Sequence, residues 1–527
     1  MSKFNSTTTR PAVSSPVKTE RTPSARTHEG APGYVRDTKG ELFLLAVSNM
    51  VGEDTFYEKA GARDERFRTL VHQVAVEDGE WMSRFLPWLR GDANMRSAPI
   101  VAALESVKAR LSAGEQGHNR QLVASVLQRA DEPGEALAYW TSTYGRAIPK
   151  PVKRGIADAV QRLYTERNLA KYDSDSKGFR FGDVLDLIHP APAIEKRLWQ
   201  GDLFAHALDR RHGRDNPIPE SLRMLRSRAE LLALPVAERR SVLANPEWLK
   251  SAGMTWEALA GWLQGPMDAE AWTAVIPSMG YMALIRNLRN FDEAGVPDEV
   301  ADRIIAKLVA PDEVARSRQL PFRFYSAYRN ATSLRWGHAL DRALTLATGN
   351  VPSFGGRTLI LVDTSASMTS GAISARSSVT PSQAAALFGV ALAARGEKVD
   401  LYGFADGVFR HDVGKGASVL KEMDRFCKRV GEVGHGTQIA ASVQRTYAGH
   451  DRVIILSDMQ TMNNGWGGNV TDSAPKHIPM YGFNLVGYQH AAMPTGSGNR
   501  HEFGGFSDAS FRLIPLLEAG KNAGWPF

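Results

Sequence analysis

The chain has 527 residues, of which 43% are hydrophobic and 23% are charged, and its length predicts two to four domains of ordinary globular composition. The net charge of +7 and the isoelectric point near 9.3 exclude a protein that coats nucleic acid over its whole surface, so a polyanion site should be a local patch. The single cysteine, Cys427, excludes an intrachain disulfide, and it excludes a zinc site unless histidines and carboxylates supply the other ligands.

The first 30 residues, MSKFNSTTTRPAVSSPVKTERTPSARTHEG, are rich in Ser, Thr, Pro, Lys and Arg. They lack the apolar core of a secretory signal, and no apolar run elsewhere in the sequence approaches the length that crosses a bilayer. We therefore expect a cytoplasmic protein without a membrane partner, in which residues 1–33 form a disordered basic tail.

Residues 34–350 are predicted to form an array of helices. The segment VPDEVADRIIAKLVA is an example: its apolar residues fall on one helical stripe, at Val300, Ile304 and Leu308. Many such segments follow one another, separated by short links that contain Gly, Pro or Asn. This pattern is typical of stacked helical pairs, an α-solenoid, although no exact repeat period is visible.

Residues 351–527 show a different pattern, in which strand-like and helix-like segments alternate. Continuous apolar runs predict buried strands at TLILV, KVDLYGFA, RVIILSD and MYGFNLVGY. Helices are predicted at 380–396, where Thr380 is the N-cap, and at 418–430 and 507–520. Because continuous apolar strands that alternate with helices are typical of parallel sheets covered on both faces, we predict a doubly wound α/β domain.

The stretch LILVDTSASM carries the chemistry of this second domain. Asp363 stands where the first predicted strand ends, and Ser365 and Ser367 follow at alternate positions. Ligands collect at the carboxyl ends of such strands, and carboxylate and hydroxyl oxygens suit Mg²⁺, or Mn²⁺, rather than zinc. Thr437 in the loop GHGTQIA and Asp458 at the end of RVIILSD are predicted at the same edge and could complete an octahedral site.

This arrangement resembles the metal-ion-dependent adhesion site of von Willebrand factor A domains. The resemblance implies that the serines and the threonine bind the metal directly, that the aspartates act mostly through water, and that one position stays open for an acidic ligand. The family often has Asp after the threonine, where this chain has Gln438.

Two other interpretations of the motif stay open. Asp363 could be the nucleophile of a phosphatase of the haloacid-dehalogenase type, but that family usually has a second carboxylate where this chain has Ser365. Alternatively, the two serines could only cap the next helix.

Four segments of the helical region resemble the TROVE module of bacterial members of the Ro autoantigen family: ELFLLAVSNMVGEDTFYE, NMRSAPIV, SMGYMALIRNLRNFDEAGV and SRQLPFRFYSAYR. The resemblance covers nearly the whole chain after about residue 33. It implies a closed ring of HEAT-like helical pairs joined to a von Willebrand A domain. It also implies binding of small noncoding Y RNAs and of misfolded RNA, and in bacteria a partnership with an exoribonuclease such as polynucleotide phosphorylase.

Arginines and aromatic residues are interspersed between Arg316 and Trp336, with no acidic residue among them. Arginine neutralises phosphate, and aromatic rings can stack on unpaired bases. Because aromatic residues at helical spacing are more often core, Arg318 and Arg323 are the stronger candidates for RNA binding. Arg286 could line the same inner surface or belong to a solvated helix face.

A second basic cluster lies at GRAIPKPVKRGIADAVQRLYTERNLAKYD. It resembles a segment of the Ro family whose basic side chains meet Y RNA on the outer rim of the ring. The match places Lys153 and Arg154 at that rim, with Lys150 as a neighbour. Phe181 stands where the family has an RNA-contacting histidine, so that contact is either lost or replaced by stacking.

The sequence thus favours a monomeric, non-catalytic RNA-binding protein. It would hold a Y-like RNA on its rim and the single-stranded ends of misfolded RNA in its hole, for RNA quality control, and its tail would be either a solvated leader or an arm that touches RNA nonspecifically. The alternative is a scaffold that binds acidic protein partners through the A-domain metal. A metal-dependent hydrolase is the weakest hypothesis, because no positioned His or Lys base is evident near Asp363.

Overall fold

The computed structural model describes residues 13–48, 51–193, 195–331, 333–375, 377–463 and 469–527. Two short N-terminal strands, β1 (Ala25–Arg26) and β2 (Pro32–Val35), precede a long helical region. Its first ten helices are α1 (Thr38–Ser48), α2 (Ala60–Glu77), α3 (Gly79–Gly91), α4 (Ser97–Ser112), α5 (Asn119–Val126), α6 (Glu132–Tyr144), α7 (Lys150–Leu163), α8 (Glu166–Tyr172), α9 (Phe181–Ile188) and α10 (Gln200–His212). The next ten are α11 (Arg223–Leu232), α12 (Val236–Arg239), α13 (Pro246–Ser251), α14 (Trp256–Leu263), α15 (Ala269–Val275), α16 (Tyr281–Glu293), α17 (Asp298–Leu308), α18 (Pro311–Ser317), α19 (Phe322–Asn330) and α20 (Gly337–Ala347).

The helical pattern of the sequence is confirmed in this region. In α17 the predicted stripe of Val300, Ile304 and Leu308 is buried, and charged residues occupy the opposite face. None of the helices in the described ranges is long and apolar enough to cross a membrane.

The early and late parts of the helical array contact each other. The Asn94 side chain, between α3 and α4, donates a hydrogen bond to the backbone oxygen of Arg318, between α18 and α19. The Arg318 guanidinium in turn donates to the side-chain oxygen of Gln128. Arg318 adopts a left-handed backbone conformation, with φ of 50°, at the end of α18. These contacts connect early and late helices of the array.

An α/β domain follows the helices. Its elements are β3 (Arg357–Asp363), α21 (Ala366–Thr369), α22 (Pro381–Arg395), β4 (Lys398–Phe404), β5 (Val408–His411), α23 (Val419–Cys427), α24 (Ile439–Thr446), β6 (Arg452–Ser457), β7 (Met480–Asn484), β8 (His490–Ala491), β9 (Arg500–Gly504) and α25 (Leu513–Glu518). The predicted boundary between residues 350 and 351 falls between α20 and β3.

The main sheet has the strand order β5-β4-β3-β6-β7-β9, and all its pairings are parallel except that of β4 with the edge strand β5. Side chains of β3 alternate between two cores: Ile360 and Val362 belong to one, and Leu359 and Leu361 to the other. Helices therefore cover both faces, as predicted. The strand order reverses between β3 and β6, the kind of position where α/β sheets bind ligands.

The helix α22 shows how local sequence signals set an element. Thr380 accepts a hydrogen bond from the backbone N–H of Gln383, whose side chain bonds back to the Thr380 backbone N–H. Pro381 occupies the first helical position. The predicted N-cap is therefore confirmed.

The N-terminal segment corrects a prediction. Residues 13–33 are packed against the rest of the chain, so the disordered tail predicted for 1–33 is wrong for this part; residues 1–12 lie outside the described residues. β2 pairs antiparallel with β8, and Val17 is fully buried. Next to β2, Arg36 forms a buried ion pair with Glu502 of β9 at 2.7 Å. Composition predicts disorder here, but distant backbone and charge partners order the segment.

The C-terminal residues also link the two parts of the chain. Trp525 lies against Trp81 of α3 with ring centroids 5.2 Å apart, and Phe527 lies against Phe85 at 5.3 Å. The C-terminal end of the α/β domain therefore packs against the helical region through aromatic contacts.

Candidate functional site

The predicted metal ligands gather at the switch point of the sheet. Asp363 ends β3 and Asp458 directly follows β6, and both side chains are fully buried. The backbone N–H of Ser365 donates to Asp363 Oδ1 at 2.9 Å, and the Ser365 and Ser367 hydroxyl oxygens lie 3.2 Å apart. These four predicted residues are therefore brought together.

Thr437, the fifth predicted ligand, is buried in the glycine-rich loop before α24. Its backbone oxygen accepts a hydrogen bond from Thr461 Oγ1 at 3.1 Å, in the loop that follows Asp458. Ala366 N donates to His435 O at 2.9 Å, which joins the glycine-rich loop to the serine turn. The three loops that carry the predicted ligands are thus in contact.

One carboxylate oxygen of the site is buried and lacks a hydrogen-bond partner in the part of the chain that the structure describes. Asp458 Oδ1 accepts a hydrogen bond from the backbone N–H of Gln460 at 3.0 Å. Asp458 Oδ2 is buried without any hydrogen-bond partner among the described residues. An unsatisfied buried carboxylate oxygen is costly, and a bound cation would satisfy it.

The pKa shifts of Asp363 and Asp458 also favour a bound cation. Burial raises the pKa of Asp363 to about 6, against hydrogen bonds from Ser365 and Ser457 that lower it. Burial, and next the charge of Asp363, raise the pKa of Asp458 to about 8. A divalent cation would offset both causes, because it neutralises the buried charges.

The donor set suits a hard cation. Across the described ranges, no three His, Cys, Asp or Glu side chains come close enough together to hold a metal ion. The hydroxyls of Ser365, Ser367 and Thr437 would therefore supply oxygens beside the two carboxylates. Oxygen donors of this kind fit Mg²⁺ or Mn²⁺ better than zinc.

Sequence reasoning missed three side chains near this site. Ser457 donates a hydrogen bond to Asp363 Oδ2 and so orients that carboxylate. Tyr57 and Glu29 approach from outside the α/β domain. Ser457 could have been noticed beside Asp458, whereas no local signal marks Tyr57 or Glu29.

The predicted inner arginines line two neighbouring cavities in the helical region. Arg286 and Arg323 border one of about 630 Å³, between α16 and α19. Arg318 and Arg323 border another of about 640 Å³, at the contact between the early and late helices. Burial and the neighbouring charge of Arg286 lower the pKa of Arg323. Neither Arg286, Arg318 nor Arg323 has an ion-pair partner among the described residues.

Other members of the same sequence stretch are structural. Phe322, Phe324, Tyr325 and Trp336 are buried in the core, as helical spacing suggested. Arg335 pairs with Asp292 at 2.7 Å. The stretch of mixed arginines and aromatics therefore separates into core rings and solvent-facing cations.

The three rim candidates lie at the N-terminal end of α7. Lys150 and Arg154 are exposed and Lys153 is half-buried, and no carboxylate in the described ranges pairs with any of them. Their spacing places them on neighbouring positions of one helix end, where backbone N–H groups also favour anions.

Phe181 does not offer a surface for stacking on RNA. It is buried at the start of α9, and its ring stacks on Tyr164 with centroids 3.8 Å apart. His189 caps the other end of α9 in a left-handed conformation. Of the two alternatives for Phe181, the structure favours loss of the histidine contact.

Comparison with known proteins shows which proteins this chain resembles. A family model described as the TROVE domain matches residues 249–352, the segment that contains Arg286, Arg318 and Arg323. Over this segment the chain is similar to TROVE domains. The rim candidates on α7 lie outside the matched TROVE segment.

Two further comparisons extend the likeness beyond the TROVE segment. The protein named "RNA-binding protein RO60" from Deinococcus radiodurans is 24% identical over 401 residues, which cover 70% of this chain and 71% of the relative. The crystal structure of the Deinococcus radiodurans RO (RSR) protein superposes with a TM-score of 0.60 and 18% identity, covering 90% of this chain and 99% of that one. The helical region followed by an α/β domain is thus the fold of that protein.

Proposed function

We propose that this Ro60-like protein is a non-catalytic RNA-binding protein of the cytoplasm that acts in RNA quality control. The observation that carries the proposal is the set of inner arginines, Arg286, Arg318 and Arg323. These cations share two cavities in and beside the TROVE segment and have no ion-pair partner in the described part of the chain.

The phosphates of an RNA strand would supply the anionic partners that these three arginines lack in the described part of the chain. A half-buried guanidinium without a carboxylate is stabilised when a phosphate binds it, often in bidentate geometry. One cavity lies between α16 and α19, and the other lies where late helices contact early ones, so a single strand that runs through both would contact cations from α16 and α19. We assign the single-stranded ends of misfolded RNA to this inner surface, since duplexes are recognised mainly through shape.

The outer rim is proposed as a second RNA surface. Lys150, Lys153 and Arg154 project from the N-terminal end of α7, on a different part of the array from the inner arginines. A structured Y-like RNA is the proposed ligand there. The proposals of an exoribonuclease partner, such as polynucleotide phosphorylase, and of a monomeric state rest on the resemblance to the Ro family alone.

The α/β domain is proposed to hold Mg²⁺, or Mn²⁺, through Asp363, Ser365, Ser367, Thr437 and Asp458. Support comes from the contact between the three loops and from the buried, unsatisfied Asp458 Oδ2. When bound, the cation would neutralise the two carboxylates. The scaffold alternative, in which an acidic protein binds this metal, has no separate support in the geometry.

RNA crosslinking and sequencing from cells tests the proposed function. The parent chain should enrich small structured RNAs, and the double change Lys153→Glu and Arg154→Glu should reduce that enrichment. Lys421→Glu is a matched control, because Lys421 is an exposed lysine on α23 far along the chain from the rim. Absence of enrichment in the parent refutes the function, and equal enrichment in the double variant refutes the rim assignment.

A further inference from the structure

Two residues from the early part of the helical array contact Arg318, one of the three inner arginines. The side chain of Asn94, in the link between α3 and α4, donates a hydrogen bond to the Arg318 backbone oxygen. The Arg318 guanidinium donates to the side-chain oxygen of Gln128, in the link between α5 and α6. We call these contacts among Asn94, Gln128 and Arg318 the seam. All three residues border the cavity of about 640 Å³.

A buried carboxylate fixes the early side of the seam. Glu132 of α6 is fully buried, and its Oε1 pairs with Arg90 of α3 at 2.7 Å. Its Oε2 accepts a hydrogen bond from the backbone N–H of Gln128 at 2.6 Å. Glu132 therefore connects the segment that carries Gln128 to α3, the helix that precedes Asn94.

The late side of the seam is an exposed helix end. Arg318 follows α18 in a left-handed backbone conformation, with φ of 50° and ψ of 38°, which residues other than glycine seldom adopt. A long side chain at such a position has many rotamers, and ordering it when a ligand binds is costly. Asn94 holds the backbone of this residue and Gln128 holds its guanidinium, so the seam removes part of that freedom in advance.

The seam holds Arg318 without neutralising its charge. The side chains of Asn94 and Gln128 are uncharged amides. A carboxylate in their place would pair with the arginine, as Glu313 pairs with the neighbouring Arg316. A guanidinium has five N–H donors, so the donors that do not face Gln128 can bind a phosphate.

We propose that Asn94 and Gln128 are positioning residues for RNA, which hold Arg318 in place across the seam. The inner RNA surface is then built jointly by the early and the late helices. Arg323 borders both inner cavities, so a strand bound along them runs from Arg323 to Arg318 at the seam. This inference rests on the proposed binding of single-stranded RNA to the inner arginines.

A double-mutant cycle, measured by fluorescence anisotropy with a labelled single-stranded RNA, tests the role of Gln128. One phosphate contact contributes about fivefold in affinity at 0.1 M salt relative to 1 M, and Arg318→Gln should lose this amount. Gln128→Ala should lose about threefold, because an arginine that is not held in advance must be ordered by the RNA. Added to Arg318→Gln, it should cause no further loss, since it acts only through that arginine.

The salt dependence supplies a readout that a merely structural role would not move. Gln128→Ala removes no charge. It should nevertheless make the slope of log affinity against log salt shallower, by up to about 0.7, because the phosphate contact of Arg318 is weakened. An unchanged slope in this variant would contradict the positioning role.

A second variant and a control accompany these measurements. Asn94→Gly removes the side chain but keeps the left-handed conformation of this position, where φ is 58°, and it should show the same lack of additivity with Arg318→Gln. Gln73→Ala is the control, because Gln73 bonds to Glu77 within α2, and it should bind RNA like the parent. Thermal melts without RNA check the fold of each variant, and Asn94→Gly decides the test if Gln128→Ala melts early.

The outcomes separate this inference from the proposed function. A parent that binds no single-stranded RNA, or Arg318→Gln that binds like the parent, overturns both the inner RNA surface at Arg318 and its positioning. A loss in Arg318→Gln, together with parental binding of Gln128→Ala and Asn94→Gly, overturns the positioning role and keeps the RNA surface. Losses in these two variants that add to that of Arg318→Gln do the same.

Discussion

Replacing the unpaired inner arginines should weaken RNA binding in a way that depends on salt. We expect the double change Arg286→Gln and Arg323→Gln to remove two phosphate contacts. Each contact to a single strand contributes about 0.7 to the slope of log affinity against log salt, so the slope should become shallower by about 1.4. Relative to 1 M salt, the same contacts contribute about 25-fold in affinity at 0.1 M salt.

Paired arginines of the same cavities provide the control. Arg289 borders the first cavity and lies 3.4 Å from Glu293, and Arg316 borders the second and pairs with Glu313. Because their charges already have carboxylate partners, Arg289→Gln and Arg316→Gln should change the affinity much less than the loss of the unpaired arginines.

Fluorescence anisotropy with a labelled single-stranded RNA between 0.05 and 0.3 M salt is the appropriate assay. The parent, the unpaired double variant and the paired double variant should be compared at each salt concentration. An unchanged slope in the unpaired variant, or an equal loss in the paired one, would refute the reasoning that unpaired arginines mark the RNA path.

Three further predictions concern stability. Arg36→Met should destabilise the fold by about 3–5 kcal/mol, because it leaves the carboxylate of Glu502 buried without its ion-pair partner. Urea unfolding measures this loss. The double variant Arg36→Met and Glu502→Gln should regain part of the stability. Mg²⁺ at 100 times its dissociation constant should stabilise the parent by about 2.7 kcal/mol, and Asp363→Ala should abolish this gain in a thermal melt. Burial lowers the pKa of His501 to about 4, below its ordinary value of 6.5. Between these two pH values the unfolded chain binds a proton at His501 that the folded chain does not bind. The free energy of unfolding should therefore fall as the pH drops from 6.5 towards 4. Replacement with Gln should flatten that part of the pH profile, and an unchanged profile would contradict the assignment.

The sequence was sufficient to predict those elements that depend on neighbouring residues. β3, β6 and β7 contain apolar runs that are buried, β4 is rich in apolar residues, and the ligand-bearing turn after β3 follows from its position at a strand end. The N-cap of α22 needs only residues within one helical turn. These features depend on neighbours in sequence, so periodicity and capping rules predict them.

Features that depend on distant partners could not be predicted. β9, with the sequence RHEFG, has charged residues in a fully buried strand. Arg500 is satisfied by the backbone oxygens of Thr471 and Ile478, and Glu502 by Arg36. Because these partners are separated from β9 by many residues, the polar strand shows no hydrophobic pattern that would reveal it. The ordered N-terminal segment, paired with β8, was missed for the same reason.

The inner arginines show what the structure adds to a motif. The sequence places five arginines from Arg316 to Arg335, and it favours Arg318 and Arg323 without showing which of the five have acidic partners. In the structure, Arg316 and Arg335 have carboxylate partners, whereas Arg318 and Arg323 border cavities without them. A cation that already has a partner loses that interaction when it binds phosphate, whereas an unpaired, partly desolvated one does not. Pairing and burial, rather than the number of arginines, therefore decide which of them should hold RNA.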